Sequence, residues 1–80
     1  MSTEEYPVHP SIEVLAGETI FKTKKWWMAV LKISAFGRVK YRIYLWLFQD
    51  GAWVAKQKLT IVDSATWEKI KAAVDLVMGK

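Results

Sequence analysis

Residues 38–48 read RVKYRIYLWLF, and their alternation decides the fold. Val39, Tyr41, Ile43, Leu45 and Leu47 fall on one side of a strand; Arg38, Lys40, Arg42, Tyr44 and Trp46 fall on the other. The first side demands a cover. The second interleaves cations with flat rings, which suits neither a plain core nor a plain wet surface. Just upstream, Ala35-Phe36-Gly37 supplies a short turn, with Gly37 free to take a positive φ. Before that turn, residues 24–34 (KKWWMAVLKIS) alternate again. Trp27, Ala29, Leu31 and Ile33 are all apolar, whereas Lys24, Trp26, Met28, Val30, Lys32 and Ser34 are mixed.

Downstream, Gln49-Asp50-Gly51 predicts a tight hairpin turn. Residues 53–62 (WVAKQKLTIV) predict a further strand, with Lys56, Lys58 and Thr60 on one face and Leu59 and Ile61 on the other. Asp63 is placed to cap a helix over 64–78, and Gly79 to end it. Trp67, Ile70, Val74 and Val77 recur at helical spacing, with Ala73 widening the stripe. Upstream, residues 11–23 (SIEVLAGETIFKT) hold two short apolar pieces split by Gly17, and 19–22 form the first expected strand. The expected fold is α+β: a twisted four-stranded antiparallel sheet followed by one C-terminal helix over the Val39/Ile43/Leu45 face. Residues 1–14 are expected to be a flexible acidic tail, and 15–80 a single domain.

An 80-residue chain buries only part of its surface, so pairing with a second copy is expected. Trp67, Ile70, Val74 and Val77 are the expected dimer contacts. No cysteine is present, so neither a disulfide framework nor a thiolate metal site contributes. The one histidine, His9, falls between Val8 and Pro10 and is expected to be solvated rather than a ligand. No metal and no cofactor are expected. The N-terminus is acidic where a signal peptide is basic, and the longest apolar run, 26–31, is far below the ~20 residues of a membrane span. A soluble, cytoplasmic, nucleoid-associated protein without a membrane partner is expected.

The net charge of +4 conceals a segregation. Residues 1–19 carry four glutamates and no cation; residues 20–62 carry nine cations against Asp50 alone; residues 63–80 balance. A basic sheet flanked by acidic or neutral ends attracts polyanions. With the helix on one face, the Arg38/Lys40/Arg42/Tyr44/Trp46 face is left to solvent. If neighbouring strands keep the same parity, Trp26, Met28 and Lys32 join it from one side, and Lys56 and Lys58 from the other. Cations that track phosphates, beside rings on which unstacked bases can lie, suit single-stranded nucleic acid. The expected contacts are Lys24, Lys32, Arg38, Lys40, Arg42, Lys56 and Lys58 for phosphate, and Trp26, Tyr44 and Trp46 for bases. Trp27, Trp53 and Trp67 are assigned to core, and Met28 and Val30 are candidates for burial by a partner chain. No activated nucleophile, paired carboxylates or glycine-rich phosphate loop occurs, so an enzyme is not expected. Two other functions fit a basic aromatic sheet: a duplex-DNA architectural protein, and a module that docks a protein on its aromatic face.

From Phe21 to Val77 the chain resembles the single-stranded-DNA-binding domain of the positive-cofactor-four family of transcriptional coactivators. The resemblance is carried by Gly37-Arg38-Val39 at a hairpin exit, Asp50-Gly51 at the next turn, Lys58 before the helix junction, and IVDSATWEKIK over 61–71. It implies a β-β-β-β-α fold, dimers formed through the C-terminal helix region, and curved basic channels for single strands or melted DNA. It implies phosphate contacts at Arg38 and Lys58 and a stacking ring near Trp46. Tyr44 stands where the family often has arginine, and Trp26 and Met28 where it usually has basic residues. A serine-rich regulatory tail is lacking, as in compact prokaryotic-type members. The implied partners are single-stranded DNA, with RNA or melted duplex as variants, a second copy, and proteins of transcription or repair.

Overall fold

The computed structural model describes residues 6–80, so the expectation for residues 1–5 lies outside it. The chain forms β1 (Glu13–Lys22), β2 (Trp26–Ala35), β3 (Arg38–Gln49), β4 (Ala52–Ile61) and α1 (Ser64–Met78). The strands make one antiparallel sheet in the order β1-β2-β3-β4. A four-stranded antiparallel sheet followed by a single C-terminal helix is the architecture expected from the alternation.

Both central hairpins close with two residues. Phe36 and Gly37 have φ of 53° and 75°, and Asp50 and Gly51 have 52° and 79°. Left-handed values at both central positions match the right-handed twist of the flanking strands. The first turn therefore pairs Ala35 with Arg38, and the ladder continues as Trp27↔Trp46, Ala29↔Tyr44, Leu31↔Arg42 and Ile33↔Lys40. Cross-strand partners share a face. Odd positions of β2 thus lie beside even positions of β3, and the same-parity expectation fails: Trp26, Met28 and Lys32 pair with Leu47, Leu45 and Tyr41 on the opposite face.

Strand β4 begins in register with the Asp50-Gly51 turn and then slips by one residue at Lys56. Trp46 pairs with Ala55, but Leu45 pairs with Gln57. A bulge moves every later side chain to the other face. Here it brings Lys58 beside Tyr44 and Thr60 beside Arg42.

The core lies on the face shared by the odd residues of β2 and the even residues of β3. Trp27, Ala29, Leu31, Ile33, Tyr44 and Trp46 are buried there, and Ile12, Val14 and Trp53 pack against them. Segment 6–12 crosses this face as a strap, adding Tyr6 and Val8 to the cluster. The segment expected to be tail is packed from Tyr6 onward, and the boundary drawn after residue 14 falls inside β1. Tyr44 and Trp46, expected at the solvent surface, are interior instead: Trp46 is 0% exposed. Their rings stack on each other at 5.0 Å and 5°, and Trp27 lies 5.0 Å from Trp46.

Helix α1 starts as expected. The Thr66 amide donates to Asp63 Oδ1 at 2.7 Å. At the other end the Gly79 amide donates to the Asp75 carbonyl at 3.1 Å and the Lys80 amide to the Val77 carbonyl at 3.2 Å. The helix nevertheless buries none of its residues. Trp67, expected in the core, is 39% exposed. It faces Val30, Tyr41, Ile43 and Ile61 across a cleft of about 300 Å³. Beyond it, Val74, Leu76, Val77 and Met78 stand exposed.

Trp46→Ala should cost about 3–5 kcal/mol of stability, the range for emptying a buried aromatic site, in denaturant melts. The Asp63 carboxyl is held below its usual value of 3.8 by the hydrogen bond from the Thr66 amide, aided by the Thr66 hydroxyl and Lys69. A pKa lower in the folded than in the unfolded state means that its contribution is full above 3.8 and fades as pH falls through the folded value. Asp63→Asn should therefore flatten the acid limb of the Tm–pH curve, while Asp63→Ala lowers Tm at neutral pH by a few degrees.

Candidate nucleic-acid interface

On the face that carries the core, the even residues of β3 run Arg38, Lys40, Arg42, then Tyr44, Trp46, Phe48: three cations followed by three rings. Register adds Lys58 and Thr60 from β4 next to the inner end of the cation half. The strand carboxylates avoid this face, since Glu13 pairs with Ser34 and Glu18 with Val30 on the other. Arg42 is the best-positioned cation. Its Nε donates to Thr60 Oγ1 at 3.2 Å, and its Nη1 donates to the Tyr44 hydroxyl at 2.9 Å. A guanidinium has five N–H donors, so the remaining ones stay available to a phosphate. Among the described residues the one ion pair is Lys71–Glu68 on the helix, at 3.3 Å, and none of the described carboxylates pairs with a cation of the sheet.

The ring half has a second wet margin. Phe48 is exposed and meets Trp53 edge-on at 5.2 Å. Lys22 sits 3.9 Å over Trp27 and 5.9 Å from Trp53, and the Trp27 indole N–H donates to Thr19 Oγ1 at 3.1 Å. Arg42 and Phe48 are six residues apart, about 20 Å along an extended strand. Between these margins, Tyr6 of the strap covers Trp27 and Trp46, with ring centroids at 5.4 and 6.2 Å.

At the tip of the β2–β3 hairpin, Phe36 is 97% exposed with φ of 53°. A bulky residue in the left-handed region is strained by roughly 1–2 kcal/mol, and this ring has no burial to offset the strain. Such outliers cluster at functional sites, which makes Phe36, beside Arg38, a candidate contact residue.

Of the expected site residues, Arg38, Lys40, Arg42 and Lys58 are brought together on one face. Lys24 is exposed in the β1–β2 loop, and Lys56 is the extra residue of the β4 bulge. Trp26 and Lys32 are on the opposite face, and Tyr44 and Trp46 share the cationic face but are buried. Sequence reasoning missed Lys22, Phe36 and Phe48. Continuing the even-position alternation to residue 48 finds Phe48, and reading the turn as two residues exposes Phe36. Compared with models of protein families, with curated proteins and with solved structures, the chain finds no match.

Phe36→Asn should stabilise the protein by about 1 kcal/mol in urea melts, since asparagine before glycine suits this turn. The same substitution should weaken oligonucleotide binding several-fold if the exposed ring stacks on a base. Stabilisation with unchanged binding would remove Phe36 from the interface.

Proposed function

We propose that this is a non-enzymatic protein that binds single-stranded nucleic acid, DNA first, with little sequence preference, on the cationic face of its sheet. The observation that carries the reading is the set Arg38, Lys40, Arg42 and Lys58: four cations on one face, without a carboxylate partner among the described residues, with Arg42 fixed by Thr60 and Tyr44. Fixed donors suit phosphate oxygens, because less side-chain freedom is lost on binding. Exposed rings at Phe36 and Phe48 lie where unstacked bases could rest. The β-β-β-β-α order agrees with the resemblance to the positive-cofactor-four family, and service in transcription or genome maintenance follows from that resemblance.

The binding unit we propose is a homodimer. The face opposite Arg38, Lys40 and Arg42 exposes Phe21, Trp26, Tyr41 and Leu59, with Lys32, Glu13 and Glu18 among them, and α1 presents Val74 and Val77 to solvent. The chain exposes 6229 Å², whereas a compact protein of 9.2 kDa exposes about 4,900 Å². A standard interface removes about 800 Å² from each partner, which the surplus accommodates. A second copy on this side would leave the cationic face of each protomer outward.

Tryptophan fluorescence titrated with a thymine-run oligonucleotide, across salt and with matched duplex as competitor, tests the reading. Single-strand preference and steep salt dependence are expected, and Arg42→Ala should reduce the log–log salt slope by about one. Preference for duplex would favour an architectural role, and no saturable binding at low salt would leave docking of a protein. Light scattering should give twice 9.2 kDa, and Val77→Lys should lower that mass toward the monomer without unfolding the sheet.

A further inference from the structure

Segment 6–12 occupies the middle of the cationic face, and its manner of attachment is unlike that of the strands. The Val8 amide donates to the Tyr6 carbonyl at 2.8 Å and the Ile12 amide to the His9 carbonyl at 2.9 Å. The Ser11 amide donates to His9 Nδ1 at 3.1 Å. Pro7 and Pro10 have no amide N–H. Among the described residues, no hydrogen bond ties this strap to a strand. It can therefore lift without breaking the ladder or stranding a backbone donor that the sheet had satisfied.

The contact that holds it is aromatic. Tyr6 lies on Trp46 at 24° between ring planes, with Trp27 alongside. Gly17 makes the room: a Cβ there would stand 2.6 Å from Tyr6 Cε2 and 2.8 Å from Leu31 Cδ2. Gly17 needs no positive φ, so the close approach of the ring accounts for glycine at this point of β1. The floor of the seat is incompletely satisfied, because the buried Trp46 indole N–H has no acceptor among the described residues. Cations flank the seat, with Lys22 over Trp27 on one side and Arg42 beyond Tyr44 on the other.

We propose that the Tyr6 seat is a nucleobase-binding site, closed in the free protein by the chain's own phenol ring. The proposal rests on the single-strand reading above. A flat ring stacked on Trp46, between two cationic margins, occupies the position that a base would take when its flanking phosphates reach Arg42 and Lys22. The strand then binds by displacing the strap, and the apparent affinity is reduced by the fraction of protein in which the seat is closed.

The test uses the full chain and a fifteen-residue thymine oligonucleotide. Tyr6→Ala should bind about five- to tenfold tighter than the parent chain with the same salt slope, because no phosphate contact changes. Gly17→Ala, which pushes the ring off its seat while leaving Tyr6 in the chain, should act in the same direction and serves if Tyr6→Ala is poorly folded. Hydrogen exchange at the Val8 and Ile12 amides of the parent chain should accelerate when the oligonucleotide is added. Salt-sensitive binding with the two amides equally or better protected, and with neither variant tighter, would overturn the plug while leaving the binding reading intact. Absence of binding by parent and both folded variants would overturn the single-strand reading, and the seat with it.

Discussion

The rest of the structure depends on the two-residue turn at Phe36-Gly37. Pairing Ala35 with Arg38 sets every later partner of β2 and β3, and a slip of one residue would carry the whole of one strand's side chains through the sheet. In the register adopted, the apolar positions of β2 meet the cation-and-ring positions of β3. Trp27 lies on Trp46, and the buried cluster forms on the same face as the cations. In the alternative register, Trp27 and Leu31 would lie with Leu45 and Tyr41, the cations would stand with Trp26, Met28 and Lys32, and the strap would have no aromatic seat. The core and the cations of β3 occupy one face because of that turn.

The limits of β2, β3 and β4 to within two residues, the positions of the two Gly-containing turns, the Asp63 cap and the helix span were legible, because each rests on local chemistry: alternation, turn residues and capping. Strand β1 was not, since it runs from Glu13 rather than Thr19 and its alternation is broken by Gly17 and two register shifts. The faces were legible only within a strand. Taking Ala35-Phe36-Gly37 as three residues places Val30 beside Arg42, Lys32 beside Lys40 and Trp26 beside Trp46; taking Phe36-Gly37 as two places Leu31 beside Arg42. Nothing local favours the left-handed region at a phenylalanine, so the shorter turn is the less expected one. The β4 bulge at Lys56 was likewise invisible, since its cause is the demand that Ile61 reach the apolar face while Trp53 stays on the core. The same limit governed segment 6–12. Two prolines and no periodic pattern describe a tail as well as a strap, and only the position of Trp27 and Trp46 distinguishes them.

The two faces divide the work in a way that net charge does not reveal. Along β3, cations occupy one half of a face and rings the other, so the ring half can be buried while the cation half stays wet. Burial of Tyr44 does not part it from the cations: its hydroxyl accepts from Arg42 and helps to fix the guanidinium. A residue expected to stack on a base is thus a support for a neighbouring cation. On the other face, Trp26, Tyr41 and Leu59 are matched by α1, whose outer apolar residues Val74, Leu76, Val77 and Met78 stand exposed. An unpartnered apolar helix beside an open apolar sheet face is a large exposed area for 80 residues, and association of copies is the ordinary way to remove it from water.

These placements also explain how one small sheet keeps a cluster of large aromatic side chains out of water. Trp27, Tyr44 and Trp46 left open to solvent would form an apolar patch of the kind that drives aggregation. A cover held by ladder hydrogen bonds would protect them but make the face permanently inaccessible. A cover held by side-chain packing, with its own hydrogen bonds closed inside it, protects the rings and remains removable. Gly17 lies under the one ring of the cover that stacks on this patch, so the edge strand gives up a side chain where the cover needs depth. The glycine that divides the first strand in the sequence is thereby tied to the same aromatic stack that the central strand begins.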